Sequence, residues 1–326
     1  MKFSVITPSY NQGRFLEETI QSVLGQSHQH AELIVVDGGS TDESVSIIKK
    51  YESQIKWWTS EKDRGQSHAI NKGLAQATGD IITWINSDDI LEPGALAFAN
   101  DYFEKHPDVS IIHGKTILFG EGRKQQINGP ENDLKPFEYL PYMRFPQPSS
   151  FIRRQVFERC NGVNEMLHYG MDFELVAKAV LLGNKIQRVE VVFSRYRLHK
   201  DSKSASDLPF AKEWAQVLYT IFLSIPGGAH FASELQSVLA IGSKVARLYN
   251  CEYNFTEKEL EAVFLEHLHL QYHVHYRVHD KMMCKKISMY LKANHPHYFK
   301  SRDFSRYNTR LIFFPRGILN VIRKYR

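Results

Sequence analysis

Cysteine is scarce. The three present in 326 residues, Cys160, Cys251 and Cys284, are odd in number, far apart and without metal-ligand spacing. That excludes a disulfide framework and fits thiols kept reduced. Long apolar runs are missing as well, since no stretch reaches the roughly 18 to 20 residues that a bilayer span needs. The N-terminus enters a candidate strand directly, with neither the charged nor the apolar zone of a signal peptide, so the chain is expected to stay in the cytoplasm. No nucleic-acid recognition motif is present, and outside the C-terminal tail the basic residues are mixed with acids, which argues against a nucleic-acid partner. Internal repeats and low-complexity tracts are absent too.

What is present suits a soluble globular protein: 43% hydrophobic and 24% charged residues, in a chain long enough for two folding units. The formal net charge of +5 is unevenly spread. From Arg302 onward, Arg306, Arg310, Arg316, Arg323, Lys324 and Arg326 meet only Asp303 and alternate with Phe304, Leu311, Phe313, Ile318 and Val321. A basic, apolar-faced tail over 302–326 reads either as a peripheral contact with an anionic membrane surface or as a packing helix with a solvated basic face.

Along the first half, apolar β-favouring runs alternate with helical periodicity. Strands are expected at 3–6, 32–36, near 55–59 and at 81–85, and helices at about 15–24, 43–51 and 66–76. Such alternation is the signature of a parallel sheet wrapped by helices. Right-handed crossovers return each strand in the same direction, so the loops that follow the strands open at one edge. Thr7 to Asn11, Asp37 to Asp42, Asp63 to Gly65 and the pair Asp88-Asp89 should therefore converge. Ile81-Ile82-Thr83-Trp84-Ile85 ends in two adjacent carboxylates; such a strand tip suits Mg²⁺ or Mn²⁺ shared with a substrate phosphate, or else simply turns the chain.

After Pro107 the strict alternation stops. Strands are expected at 109–113, 115–119 and 189–197, an element at 151–158 and a helix at 172–182, which points to a mixed sheet. The charged, Ser-rich loop at 200–208 marks the end of the main domain. Helices are expected at 210–225, at 231–249, from Thr256, which has Glu259 at capping-box spacing, and in the tail. His267, His269, His273, His275 and His279 fall partly four apart but lack a carboxylate at ligand spacing, and they read as ordinary helix histidines.

Taken in order, Thr7-Pro8-Ser9-Tyr10-Asn11, Val36-Asp37-Gly38-Gly39-Ser40-Thr41-Asp42, Glu61-Lys62-Asp63-Arg64-Gly65, Asn71-Lys72-Gly73 and Asn86-Ser87-Asp88-Asp89 resemble family 2 glycosyltransferases, the inverting enzymes of the GT-A fold. The resemblance covers about residues 1 to 200. It implies an α/β fold, a Rossmann-like mixed sheet flanked by helices, with a GT-A domain over 1–205 and a helical C-terminal extension over 206–326. Within the domain, 1–107 would form the nucleotide-sugar half and 108–205 the acceptor half.

The same resemblance implies individual roles. Thr7, Ser9 and Tyr10 of the first loop, with Asp37, would hold the nucleotide base. Asp63 and Arg64 would border the donor sugar and diphosphate. Asp88 would contact the ribose, and Asp89, joined by His199, would hold Mn²⁺ or Mg²⁺ on the diphosphate. Gln147, in Gln147-Pro148-Ser149, precedes the segment His168-Tyr169-Gly170-Met171-Asp172, which supplies the catalytic base, Asp172. One base is enough, because the leaving group is a diphosphate, not an alkoxide that must be protonated. Many relatives carry Glu just before this Asp, where Met171 stands here; Glu174 is the alternative base.

The implied activity is metal-dependent, hexosyltransferase-type transfer from a nucleotide-diphosphate sugar, a UDP-sugar by expectation, to a glycan or lipid-linked acceptor in polysaccharide biosynthesis, at the inner face of the membrane. A homo-oligomer is compatible with the sequence. Two other classes compete with this reading. A sugar nucleotidyltransferase would open with a Gly-rich, Arg- and Lys-bearing loop, whereas Thr7 to Gly13 holds one glycine. A non-catalytic nucleotide-sugar binder would turn over no donor.

Overall fold

The computed structural model describes residues 1–242 and 247–313. The chain divides into two compact units: Met1–Tyr139 with Met143–Ala205 and Cys251–Tyr253 form one, and Leu140–Tyr142 with Ser206–Asn250 and Asn254–Arg326 the other.

The first unit opens with β1 (Phe3–Ser9), α1 (Gly13–Leu24), β2 (Ala31–Asp37), α2 (Ser44–Lys50), β3 (Trp57–Ser60), α3 (Gln66–Gln76) and β4 (Ile81–Trp84). β1 is buried along its whole length, as a central strand covered on both faces must be. Successive side chains go to opposite faces: Phe3 and Val5 join Leu33, Val35, Leu16 and Ile20 on one side, and Ile6 joins Ile34, Val36, Ile70 and Trp84 on the other. β1 pairs in parallel with β2 and β4, and β2 with β3. The order β3-β2-β1-β4 means that the chain winds outward from β1 to β3 and then crosses back to lay β4 on the far side of β1. Between β1 and β4, consecutive connections leave in opposite directions and open a crevice at the strand ends, the place where ligands of open α/β sheets bind.

The remaining elements are β5 (Ile90–Leu91), α4 (Ala95–Lys105), β6 (Val109–Phe119), β7 (Gln126–Asn128), β8 (Ser150–Arg153), α5 (Arg154–Cys160), α6 (Met171–Leu181) and β9 (Lys185–Arg197). β8 is antiparallel to both β4 and β6, and β9 runs parallel to β6 while pairing antiparallel with β5, so the sheet is mixed. The two strands expected at 109–113 and 115–119 are one. The register shifts around Gly114, where a Cβ would stand 2.3 Å from the Val191 carbonyl oxygen, so the break in the sequence pattern is a bulge and not a strand end.

The second unit is helical: α7 (Leu208–Ser224), α8 (Ala229–Leu239), α9 (Glu257–Arg277), α10 (Lys281–Asn294), α11 (Pro296–Ser301) and α12 (Phe304–Phe313). The capping box forms, with Thr256 Oγ1 accepting from Glu259 N–H and the Glu259 carboxylate accepting from Thr256 N–H. α8 stops ten residues before the expected 249, with Ala240 in the left-handed region at φ 54°. Of the basic tail, 314–326 lie outside the described residues. His267 is fully buried, donates to the Pro141 carbonyl at 2.6 Å and lies 3.0 Å from Gln271 Nε2; burial pushes its pKa down to about 4, so it is a neutral core residue. Among the described residues, no helix is long and apolar enough to cross a membrane.

Candidate active site

Two loops are laced together before the crevice opens. Asn11, in the left-handed region at φ 51°, donates its N–H to Ser40 Oγ at 2.7 Å and accepts from Thr41 N–H at 2.9 Å, while Gly13 N–H donates to Asp42 at 2.9 Å. The loop after β1 is therefore fixed to the loop after β2. Asp37, fully buried at the end of β2, accepts from Gly39 N–H, Ser40 N–H, Ser40 Oγ and Ser60 Oγ at 2.5–3.1 Å. Its carboxylate builds the turn that presents Gly38. A Cβ on Gly38 would lie 2.9 Å from Asp63 Oδ2, so glycine lets the loop from β2 meet the loop from β3. Asp63 in turn accepts from Gly65 N–H at 2.8 Å at the start of α3.

These loops line a cavity of about 740 Å³, within the range of small-molecule sites. Ser9, Tyr10 and Gln12 come from the β1 end, Gly38 from β2, Asp63 and Gly65 from β3, and Asn86 to Asp88 from β4. His168 and Tyr169 precede α6, Tyr196 lies on β9, and Asp201 to Lys203 follow it. Ser9 Oγ and Gln12 Oε1 are buried and, among the described residues, have no hydrogen-bond partner. Unpaired buried polar atoms are costly, and here they sit where a polar ligand would satisfy them. Tyr10 is 62% exposed, an aromatic face left open beside them.

At the β4 tip the paired acids have different surroundings. Asp88 lines the cavity, and its Oδ2 is 2.9 Å from His199 Nε2. His199 Nδ1 faces Arg14 Nη2 at 3.2 Å. A guanidinium only donates, so Nδ1 accepts and the imidazole proton sits on Nε2, directed at Asp88. Arg14 also reaches Asp201 at 2.9 Å.

Asp89 is 1% exposed and turns inward, accepting from Arg197 N–H at 3.0 Å and Asn86 Nδ2 at 3.1 Å. Burial and then the neighbouring Asp88 charge push its carboxyl well up, against the pull of those two bonds. The expectation set Asp89 on a cation and Asp88 on a ribose; the acid on the cavity wall is Asp88. The chain turns here, with Asp89 N–H donating to the Asn86 carbonyl at 3.0 Å, and the turn leaves Asp88 on the cavity wall.

Arg197, the last residue of β9, holds this corner. Its Nε donates to the Asp88 carbonyl at 2.9 Å, its Nη2 pairs with Glu18, and its guanidinium stacks 4.6 Å from the Phe15 ring centre and 4.4 Å from that of Phe119. A second strand of polar contacts spans the opposite wall. Lys203 Nζ donates to Gln66 Oε1 at 2.8 Å and to the His168 carbonyl at 2.9 Å, and Gln66 Nε2 donates to Asn86 at 2.6 Å.

Seven expected residues are not on the cavity wall: Asp37, Asp89 and His199, and with them Thr7, Gln147, Arg64 and Asp172. Thr7 is fully buried in β1, Gln147 donates to the Trp84 carbonyl at 2.9 Å, and Arg64 pairs with Glu165. Asp172 lies three residues past Tyr169, half-buried in the first turn of α6, with its Oδ1 accepting from Phe173 N–H at 2.7 Å. It is not itself a lining residue, but its charge reaches the cavity. The Tyr196 hydroxyl is pushed up first by burial, then by the Asp89 charge, and also by those of Asp88 and Asp172. Glu174 is buried and accepts from Asn164 Nδ2 at 2.9 Å. Tyr196, Gln66, Lys203 and Arg14 were missed. In sequence, a tyrosine on a strand and a lysine in a Ser-rich loop carry no signal, although Arg14 could have been found by its place one residue beyond the first loop.

Among the described residues no group of three or more His, Cys, Asp or Glu side chains forms a metal cage. Asp88 with His199 is a two-donor site of oxygen and nitrogen. That fits a divalent ion completed by substrate phosphate and water, the usual way Mg²⁺ and Mn²⁺ are held beside nucleotides.

The model of the family described as Glycosyl transferase family 2 matches residues 4–160. The chain is similar to an uncharacterized glycosyltransferase of Nostoc sp., 34% identical over 211 residues that cover 61% of this chain and 65% of that protein. It is also similar to an uncharacterized glycosyltransferase of Mycobacterium tuberculosis, 30% identical over 185 residues, 55% of this chain and 69% of that protein. Relatives can be much longer: the chain spans as little as 25% of one that matches. Among solved structures, S. aureus TarS 1-349 in complex with UDP-GlcNAc superposes with a TM-score of 0.64, covering 95% of this chain and 90% of that one at 18% identity, a likeness of fold.

Proposed function

The chain belongs to glycosyl transferase family 2, and on that premise we propose that it is an inverting glycosyltransferase that moves a sugar from a UDP-sugar to a hydroxyl of a glycan or lipid-linked acceptor in polysaccharide biosynthesis, at the cytoplasmic face of the membrane. The observation that carries the reading is the cavity at the β1–β4 crevice, whose wall holds an open aromatic face, two buried polar atoms without a hydrogen-bond partner among the described residues, and Asp88, which His199 contacts at 2.9 Å.

In this reading Tyr10 stacks on the base, and Ser9 and Gln12 take up its polar edge or the ribose. Asp88 and His199 would hold Mg²⁺ or Mn²⁺ on the diphosphate, where the ion supplies charge stabilisation for the leaving group. For His199 to lend Nε2, its proton must pass to Nδ1 and Arg14 must swing fully onto Asp201, which already stands 2.9 Å away. Lys203, on the cavity wall, supplies a further positive charge.

Transfer then needs one bond made and one broken. The acceptor oxygen bonds to C1 of the sugar as the C1–O bond to the diphosphate breaks, and the acceptor proton goes to a carboxylate. Asp172 is assigned that proton because its charge reaches Tyr196 on the cavity wall, whereas Glu174 is buried against Asn164. A positioned base is worth about 10²- to 10⁴-fold.

The test is a panel of UDP-, GDP- and ADP-sugars screened by thermal shift with and without Mn²⁺, followed by mass analysis of acceptor mixtures. Stabilisation by one donor together with a product heavier by one sugar supports the proposal. Release of pyrophosphate from a nucleoside triphosphate and a sugar phosphate would replace it with nucleotidyl transfer.

A further inference from the structure

α10 presents a basic face that the glycosyl-transfer reading does not use. Its sequence from Lys281 to Asn294 contains no Asp or Glu. Cys284, Ile287, Ser288 and Leu291 are buried against the helical unit, and the opposite side is solvent-exposed. There stand Lys281, Lys285, Lys286 and Lys292, with Met282 80% exposed and Met289 61% exposed between them. At about 100° per residue the six side chains fall within an arc of about 140°. Among the described residues, none of the four lysines pairs with a carboxylate. The acid at the helix start, Asp280, is occupied, accepting from Met283 N–H at 3.0 Å and contacting His275 at 3.0 Å.

We infer that this face of α10 docks the protein on an anionic bilayer, with the lysines over acidic headgroups and the two methionine side chains entering the interface. Charge complementarity selects an acidic partner, since four unneutralised ammonium groups on one surface repel one another until an anionic sheet screens them. The methionines select a bilayer over a soluble polyanion, because thioether side chains held in solvent gain burial only where an apolar layer lies behind the charges. The biological reason for such docking, an acceptor carried on lipid, rests on the function proposed above. Lipid binding itself is read without donor or acceptor, so failure of one is distinguishable from failure of the other.

The experiment is flotation of the full chain with vesicles of phosphatidylcholine alone, or of phosphatidylcholine with phosphatidylglycerol. Wild type should float with the acidic vesicles, dissociate in high salt and stay behind with the neutral ones. Each lysine near an acidic surface contributes about five-fold, so Lys285→Glu with Lys286→Glu should lower partitioning by at least about 25-fold. Met282→Ser with Met289→Ser should lower it several-fold. All four positions are exposed, so both variants should keep the wild-type melting temperature. Equal flotation with neutral and acidic vesicles, or undiminished binding in the lysine variant, would overturn the inference. So would a methionine variant that binds like wild type while polyphosphate displaces both, which would make the face a site for a soluble polyanion.

Discussion

Removing the Arg197 side chain should loosen the corner that holds Asp88. The guanidinium, 15% exposed, gives up a charge-assisted hydrogen bond to the Asp88 carbonyl and two ring contacts in Arg197→Ala, along with a pair to the mostly exposed Glu18. The hydrogen bond is worth about 1.5–3 kcal/mol, the two ring contacts about 1–2 kcal/mol together, and the pair with Glu18 less than about 1 kcal/mol. These losses share one side chain and do not add fully, so a net loss of about 3 kcal/mol is expected. For a unit of this size that lowers the melting temperature by about 6–12 °C. The bond from Arg197 N–H to Asp89 survives, because it comes from the backbone. Asp89 therefore stays buried, while the Asp88 carbonyl loses its partner and the cavity-facing turn is freed. Urea unfolding reads the first effect and calorimetric titration of UDP with Mn²⁺ reads the second, where about ten-fold weaker binding is expected. Lysine at 197 keeps the charge but not the planar fork, so it should recover only part of either loss. An Arg197→Ala protein with wild-type stability and wild-type nucleotide affinity would refute this account of the corner.

Other outcomes follow from the same geometry. Asp172→Asn should abolish transfer while leaving donor binding within about two-fold, and near-normal turnover would remove Asp172 as the base. Tyr10→Ala should weaken UDP binding by roughly 5- to 150-fold, the range of one aromatic–base stack, in a titration, and no change would place the base elsewhere. Glu32 ties β1, β2 and the turn before β4: burial pushes its carboxyl up, but bonds from Lys2, Ser4 and Thr78 outweigh that and hold it at about 2. A depressed folded value means that the stabilisation, at most about 3 kcal/mol, is fully present above about pH 4.5 and is lost as the pH falls through about 2. Glu32→Gln should therefore trail wild type in denaturant at neutral pH and converge with it in acid; parallel curves across that window would sink the assignment.

Much of the first unit could be read from sequence because a parallel strand covered on both faces is a short unbroken apolar run, as Ile81 to Trp84 is, and its loop is polar. Convergence of those loops followed from handedness alone, and Ser9, Tyr10, Asp63 and Asp88 do share one cavity. Which of two adjacent acids faces it is not legible in sequence, since that is set by the turn at Ser87-Asp88 and by the Arg197 N–H bond that draws Asp89 inward. Arg64 and Gln147 stand off the cavity wall for a different reason: their partners, Glu165 and the Trp84 carbonyl, lie 101 and 63 residues away. Lys203 and Tyr196 gave no signal because their meaning comes entirely from what the end of β9 is folded against. α8 is shorter than its composition predicts because the left-handed Ala240 ends it; of the rest of the expected helix, 243–246 lie outside the described residues.

The central claim is that Asp88 and His199 meet a nucleotide diphosphate through a divalent ion in the β1–β4 crevice. Its most direct test is the affinity of UDP for wild type, Asp88→Asn and His199→Asn, each titrated with Mn²⁺ and again in EDTA. The account predicts that Mn²⁺ tightens UDP binding to wild type by at least about ten-fold and that either substitution removes that gain while leaving the weaker metal-free affinity unchanged. Equal affinity for UDP in all three proteins, with the same response to Mn²⁺, would contradict it.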